Sequence, residues 1–258
     1  MDWNAQNYQK TCGRVTEHGE KLVDILRNMP CGKVLDIGCG TGVLTHKIAE
    51  LAEEVIGIDL SPAMVEKAKA MYSGIEFIVM DACEMPWENY FDTVFSNAVL
   101  HFIREQDILL DNINKVLVPG GLFICEFGAS GNMTALLDAV SRACLKRGKP
   151  YSLRFYYPEE NEYRLMLEKH GFTAEDIYTY DLDTRLTEGE PGLRNWINQI
   201  FNIEMDRFGV SEREDALTEI ESALRPAQWD GENWHLFNRR LRVAARKNGG
   251  IKFENKTQ

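Results

Sequence analysis

Three glycines, Gly38, Gly40 and Gly42, follow an apolar run in K-V-L-D-I-G-C-G-T-G, and Asp36 stands two residues before the first of them. A backbone stripped of side chains at the end of a strand lets a ligand approach the main chain closely. A dinucleotide loop reads G-x-G-x-x-G and rests a pyrophosphate on the following helix. Here the third glycine comes one residue early, and Val43 occupies the fingerprint position. Asp36 would repel a pyrophosphate and attract a cation or an ammonium group.

Two further acids close apolar runs in the same way. Asp59 ends E-V-I-G-I-D, 17 positions after Gly42. That is near the offset of about 20 residues at which a carboxylate meets ribose hydroxyls. Asp81, followed by Ala82, ends I-E-F-I-V-M-D. Carboxyl-terminal strand ends are where open α/β sheets bind ligands, so the three acids converge on one crevice. The ligand implied has a nucleoside, an amino-acid end and a positive charge, but no polyphosphate. S-adenosylmethionine meets that description.

The elements needed to hold such a crevice are legible. Residues 33–38, 54–59, 75–81, 91–97, 121–128, 176–186 and 239–247 read as strands. Between the first five lie segments with apolar residues at helical spacing. Ser61-Pro62 is a helix start, and Pro119-Gly120-Gly121 a stop. Alternation of this kind predicts a mostly parallel sheet with helices on both faces. The second half adds helical patterns over 131–148 and after Pro158. Two more, Leu193–Phe208 and Ser211–Arg225, follow a Gly/Pro break at 189–192.

The chain resembles the class I S-adenosylmethionine-dependent methyltransferases in L-D-I-G-C-G-T-G, I-G-I-D-L-S-P-A-M-V-E-K-A-K and F-D-T-V-F-S-N-A-V-L-H-F-I. The resemblance covers roughly residues 30 to 130. It implies a Rossmann-like seven-stranded sheet with an antiparallel last strand and helical insertions forming a lid. It also implies cofactor contacts from Asp36, Gly38 and Gly40 at the methionine end and Asp59 at the ribose. Leu60 would lie against the adenine, Asp81 and Ala82 at its edge, and Asn97 beneath the cofactor. The opening D-W-N-A-Q-N-Y and the closing W-D-G-E-N-W-H-L-F-N-R-R-L-R-V-A-A-R-K are similar to the trans-aconitate methyltransferases, with Arg242 where that subgroup carries an apolar residue.

The resemblance divides the chain into an amino-terminal helical lid segment over 1–30 and a cofactor-binding core over 31–130. A helical insertion with a helix returning to the core spans 131–170. The last two strands with a helical insertion at 189–228 span 171–248, and a flexible tail follows over 249–258. Tyr8 lies in a segment expected to fold over the cofactor. His101 follows the fourth strand, near where an acceptor would sit, and is the candidate general base. Trp196, Trp229 and Trp234 are candidates for an acceptor pocket. Arg239 and Arg240 open the last strand at the mouth of the crevice, where a guanidinium can grip a carboxylate. Alternation sends them to opposite faces, so one is expected to reach the substrate.

Bulk properties narrow the function. The chain has 258 residues and a net charge of -11, without the basic stripe of a nucleic-acid footprint or an anionic-membrane binder. No signal-peptide pattern opens it, and its six cysteines include no C-x-x-C pair. A cytoplasmic, metal-free protein, monomeric or weakly dimeric, is expected. The reading is a methyltransferase acting on a small molecule, with a carboxylic acid as the candidate acceptor. The alternatives are a lipid-modifying methyltransferase or cyclopropane synthase, and a non-catalytic cofactor-binding scaffold.

Overall fold

Val34, Leu35 and Ile37 expose almost no surface, as a central strand covered on both faces requires. They belong to β1 (Lys33–Ile37). The computed structural model describes residues 18–27 and 32–249. Around β1 stand β2 (Glu54–Asp59), β3 (Glu76–Val79), β4 (Phe91–Asn97), β5 (Leu117–Gly128), β6 (Phe172–Arg185) and β7 (His235–Lys247). They form one seven-stranded sheet in the order β3-β2-β1-β4-β5-β7-β6. The first five strands pair in parallel, and β7 runs antiparallel to both β5 and β6. The expected α/β architecture, with its antiparallel last strand, is the one formed. The order turns outward in both directions from β1 and β4, which places the switch point at their carboxyl ends.

Helices cover both faces. Residues 18–26 are helical (α1), and their Leu22, Val23 and Leu26 pack on Val34, Phe95 and Ile124. On the same side lies Ile48 of α2 (Val43–Ala49). The opposite face buries Leu109, Leu110 and Ile113 of α4 (Gln106–Val116) with Tyr163 and Leu167 of α6 (Glu160–Lys169). Between β2 and β3, α3 (Pro62–Met71) starts as its sequence dictates. Ser61 caps it by accepting the Met64 N–H at 3.4 Å, and Pro62 fills the first turn.

A second core forms above the carboxyl edge. It joins α5 (Thr134–Lys146), α7 (Gly192–Ile200), α8 (Asn202–Met205) and α9 (Val210–Gln228) to Leu186, Trp234 and Leu236. The helical pattern expected as one run over 193–208 breaks at Phe201, which caps α7 and starts α8. Its fully buried ring meets those of Phe155 and Trp196, so tertiary packing sets the break.

Three strands begin earlier than their composition suggests. β5 starts at Leu117, ahead of Pro119-Gly120, because Leu117 pairs with Phe91 before the register slips at the next pair, Thr93 with Leu122. The proline sits in that irregular stretch, where a missing ladder N–H is tolerated. β6 and β7 each gain four residues because they pair with each other from Phe172–Lys247 to Arg185–His235. This ladder continues past the end of β5, whose last partner is Arg240.

Candidate active site

At the end of β1 the chain turns through glycines with positive φ. Gly40 (φ 54°) points the direction a side chain would take into open space, with no atom within 4 Å of an added Cβ. Gly42 (φ 81°) has the opposite surroundings, because a Cβ there would stand 2.7 Å from the Phe77 ring. One glycine keeps room for a ligand, and the other lets α2 settle against the sheet. Gly38 lies against Val99, across the mouth of the same turn.

Asp59 organises this loop. Its Oδ2 accepts the Gly40 N–H at 2.9 Å and its Oδ1 the Ser61 N–H at 2.8 Å. Burial raises its pKa, while the two backbone donors pull the other way. Asp36 is 2% exposed and accepts the Thr45 hydroxyl at 2.6 Å, so its carboxylate faces α2. Burial, reinforced by the Asp59 charge, pushes its pKa up to about 7 against the Thr45 bond.

A cavity of about 320 Å³ opens beside the loop, lined by Gly38, Gly40, Asp59, Leu60, Asp81 and Ala82. Those six were named from sequence, and the fold brings them together. Leu60 is 62% exposed, an apolar wall of the kind a flat ring covers. Asp81 accepts the Cys83 N–H through Oδ1. The facing wall, Ala98, Val99, Phe102 and Ile103, escaped sequence reasoning. Its one signal is conformational: Ala98 has φ 58°, which nothing in the letters announces.

Other expectations are redirected. Asp36 is absent from the cavity lining and turns its carboxylate to Thr45 of α2. Asn97 is also absent from the lining; a Cβ on Gly19 of α1 would meet its Nδ2 at 2.7 Å, so it packs beneath that helix. Trp196 belongs to the second core and packs on Phe201, because its face of the amphipathic α7 is the buried one. Trp229 and Trp234 pack on each other at a tilt, with ring centroids 5.2 Å apart, beside Arg225. Tyr8 lies outside the described residues.

His101 follows β4 in the short 3-10 turn Leu100–Phe102, and its ring is buried among those of Phe102, Phe155 and Tyr157. Its Nδ1 accepts the Gly128 N–H at 3.4 Å. Burial, aided by the Arg240 charge, holds its pKa well below the usual histidine value. Burial therefore favours the neutral ring, and the Gly128 N–H occupies its Nδ1 lone pair.

The two arginines of β7 separate as alternation requires. Arg239 is exposed and turns to Asp181 and Thr179. Arg240 is 8% exposed, and its Nε is buried without a hydrogen-bond partner among the described residues. Glu126, two residues before Gly128 on β5, is engaged by Arg242 at 2.7 Å.

Parallel strands around a switch point, a glycine loop braced by the acid of β2 and a cavity at the carboxyl edge define a nucleoside-binding methyltransferase architecture. Residues 35–125 match the family described as a methyltransferase domain. An uncharacterized methyltransferase of Schizosaccharomyces pombe is 30% identical over 261 residues, covering 95% of this chain and 98% of the relative. The trans-aconitate 2-methyltransferase of Methylobacterium nodulans is 27% identical over 267 residues, covering 95% and 98%. Among solved structures, the YcgJ protein of Bacillus subtilis superposes with a TM-score of 0.65 at 16% identity, covering 90% of this chain and all (100%) of that one. The phosphoethanolamine N-methyltransferase 2 of Haemonchus contortus, bound to S-adenosylhomocysteine and phosphomonomethylethanolamine, gives 0.54 at 24%, covering 89% and 52%. The chain belongs to the methyltransferase family and is an S-adenosylmethionine-dependent enzyme.

Proposed function

We propose that the methyl acceptor is a small carboxylic acid held through Arg240. The observation that carries this reading is the Arg240 side chain, 8% exposed, whose buried Nε has no hydrogen-bond partner among the described residues. A buried charge without a partner costs several kcal/mol, and a ligand carboxylate would remove that cost. The full-length similarity to a trans-aconitate 2-methyltransferase supports the same substrate class.

The cavity fits the methyl donor. Asp59 has lone pairs left for ribose hydroxyls after accepting two backbone N–H groups, Leu60 offers a face to the adenine, and Asp81 and Ala82 stand where its edge would lie. The space beside Gly40 would take the methionine end. When bound, S-adenosylmethionine supplies an electrophilic methyl on a sulfonium. The chain's own contribution is alignment and exclusion of water, through the glycine loop, the apolar wall of Ala98, Val99, Phe102 and Ile103 and the helices of the second core. A carboxylic acid with pKa near 4 is already ionised at neutral pH, so its oxygen needs no general base.

The test is a turnover screen of small carboxylic acids, amines and phenols with labelled methyl donor. Base-labile methyl esters from acids are the expected products. Turnover of amines or phenols alone would overturn the carboxylate assignment.

A further inference from the structure

Gly128, the last residue of β5, is a meeting point for groups that the methyl-donor cavity does not use. Arg240 is its partner across the β5–β7 ladder. The His101 Nδ1 accepts its N–H. The Tyr157 ring lies so close that a Cβ on Gly128 would stand 2.4 Å from Cε1. The His101 and Tyr157 ring centroids are 5.7 Å apart, and the Arg240 charge acts on both.

Hydrogen-bond direction decides what these groups offer. A backbone N–H can only donate, so the His101 Nδ1 is an acceptor and the ring proton sits on Nε2. The Asn132 Oδ1 accepts the Arg239 N–H at 3.0 Å, which aims the amide NH₂ elsewhere. The Asn132 amide nitrogen lies on the side of Tyr157, since a Cβ on Gly128 would stand 2.9 Å from it and 2.4 Å from the Tyr157 ring. With its carbonyl side occupied, Asn132 turns a donor toward Tyr157, whose own O–H can donate to a ligand. The loop carrying Asn132 is pinned to β7 by Ala129 N–H to Arg239 O and Met133 N–H to Phe237 O, at 2.9 and 3.2 Å. Contacts within the chain therefore fix the position of this loop.

Resting on the carboxylate-acceptor reading above, we propose that Arg240, the Tyr157 hydroxyl and the His101 Nε2–H form an all-donor cradle around Gly128 that reads the acceptor's carboxylate groups. His101 is then a neutral binding donor and not a proton acceptor. A cradle without an acceptor favours oxyanions and offers nothing to an ammonium group. The ligand class is an acid with more than one carboxylate: one held in the cradle, another left to face the methyl.

Calorimetry on the full chain saturated with S-adenosylhomocysteine tests this, with tricarballylate as probe and glutaramide and glycerol 3-phosphate as controls. The parent is expected to bind tricarballylate and not glutaramide. Tyr157→Phe should weaken tricarballylate about tenfold or more, as loss of a hydrogen bond to a charged group does. His101→Leu should weaken it similarly, while His101→Gln, which keeps an acceptor for Gly128 and an N–H donor, should recover most of the loss. S-adenosylhomocysteine affinity should stay at the parent value in all three, which also reports that they fold. Nitrogen NMR should show the Nε2–H tautomer of His101.

If the Tyr157 and His101 variants bind tricarballylate like the parent, the cradle is overturned while Arg240 and the acid substrate stand. A preference for glycerol 3-phosphate would replace the carboxylate with a phosphate. A parent that binds S-adenosylhomocysteine but neither turns over nor binds any acid overturns the acceptor reading itself.

Discussion

The Gly40 N–H donates to the Asp59 Oδ2 at 2.9 Å, so the acid of β2 holds the glycine loop of β1 in place. With its other oxygen on the Ser61 N–H, one carboxylate sets both the loop and the start of α3. Asp59→Ala should therefore remove ribose acceptors and loosen the loop together. At about 1.5 kcal/mol or more for each charged hydrogen bond, S-adenosylmethionine affinity should fall more than tenfold. Calorimetry showing parent affinity would mean that the cofactor lies elsewhere.

The two tested loop glycines should separate stability from binding. Gly42→Ala places a methyl 2.7 Å from Phe77 at positive φ, and about 2–4 kcal/mol of stability should be lost. Gly40→Ala meets no atom, so only the left-handed backbone cost of about 1–2 kcal/mol applies. Its larger effect should appear in cofactor affinity. Urea unfolding and calorimetry on both variants read the two quantities separately.

Asp36 gives the fold a pH dependence of known sign. Its folded pKa, about 7, lies above the unfolded value near 4, so the fold favours the neutral acid. That contribution is complete below about pH 4 and is lost as pH rises through 7. Asp36→Asn cannot ionise and keeps a carbonyl acceptor for the Thr45 hydroxyl. Relative to the parent it should gain stability between pH 4.5 and 8, with an upper bound of about 4 kcal/mol. A difference in unfolding free energy that stays constant over this range would show that Asp36 is not held neutral.

Arg240→Met and Arg239→Met should differ sharply. The first removes the buried guanidinium and should raise the KM for an acid acceptor by at least thirtyfold, or about 2 kcal/mol, with cofactor affinity intact. The second removes an exposed pair with Asp181 and should change little. Equal turnover by both would place the anchor elsewhere.

For a carboxylic acid acceptor the rate should be flat between pH 6 and 8. The acid is ionised throughout, and His101, buried beside Arg240, stays neutral. A rate that titrates near neutrality in Asp36→Asn as well as in the parent would restore a proton-accepting role at the site.

The chain's letters alone determined everything that depends on local spacing. The glycines after β1, the acids that end β2 and β3, and Ser61-Pro62 before α3 are all set within one strand–turn–helix unit. Their chemistry is readable because such a unit has few ways to fold. Tertiary structure decided what depends on which side of an element is covered. Alternation showed that Arg239 and Arg240 must part, but only the pairing of β7 between β5 and β6 buries one and exposes the other. Trp196 by type fits a core more often than a pocket, and α7 packs it in the second core. The packing of Asn97 against Gly19 of α1, far from it in sequence, is also a tertiary contact. The His101 tautomer is likewise outside the reach of sequence, because its donor, the Gly128 N–H, belongs to a different strand. Burial and hydrogen-bond direction arise from contacts between distant segments, and no local pattern encodes them.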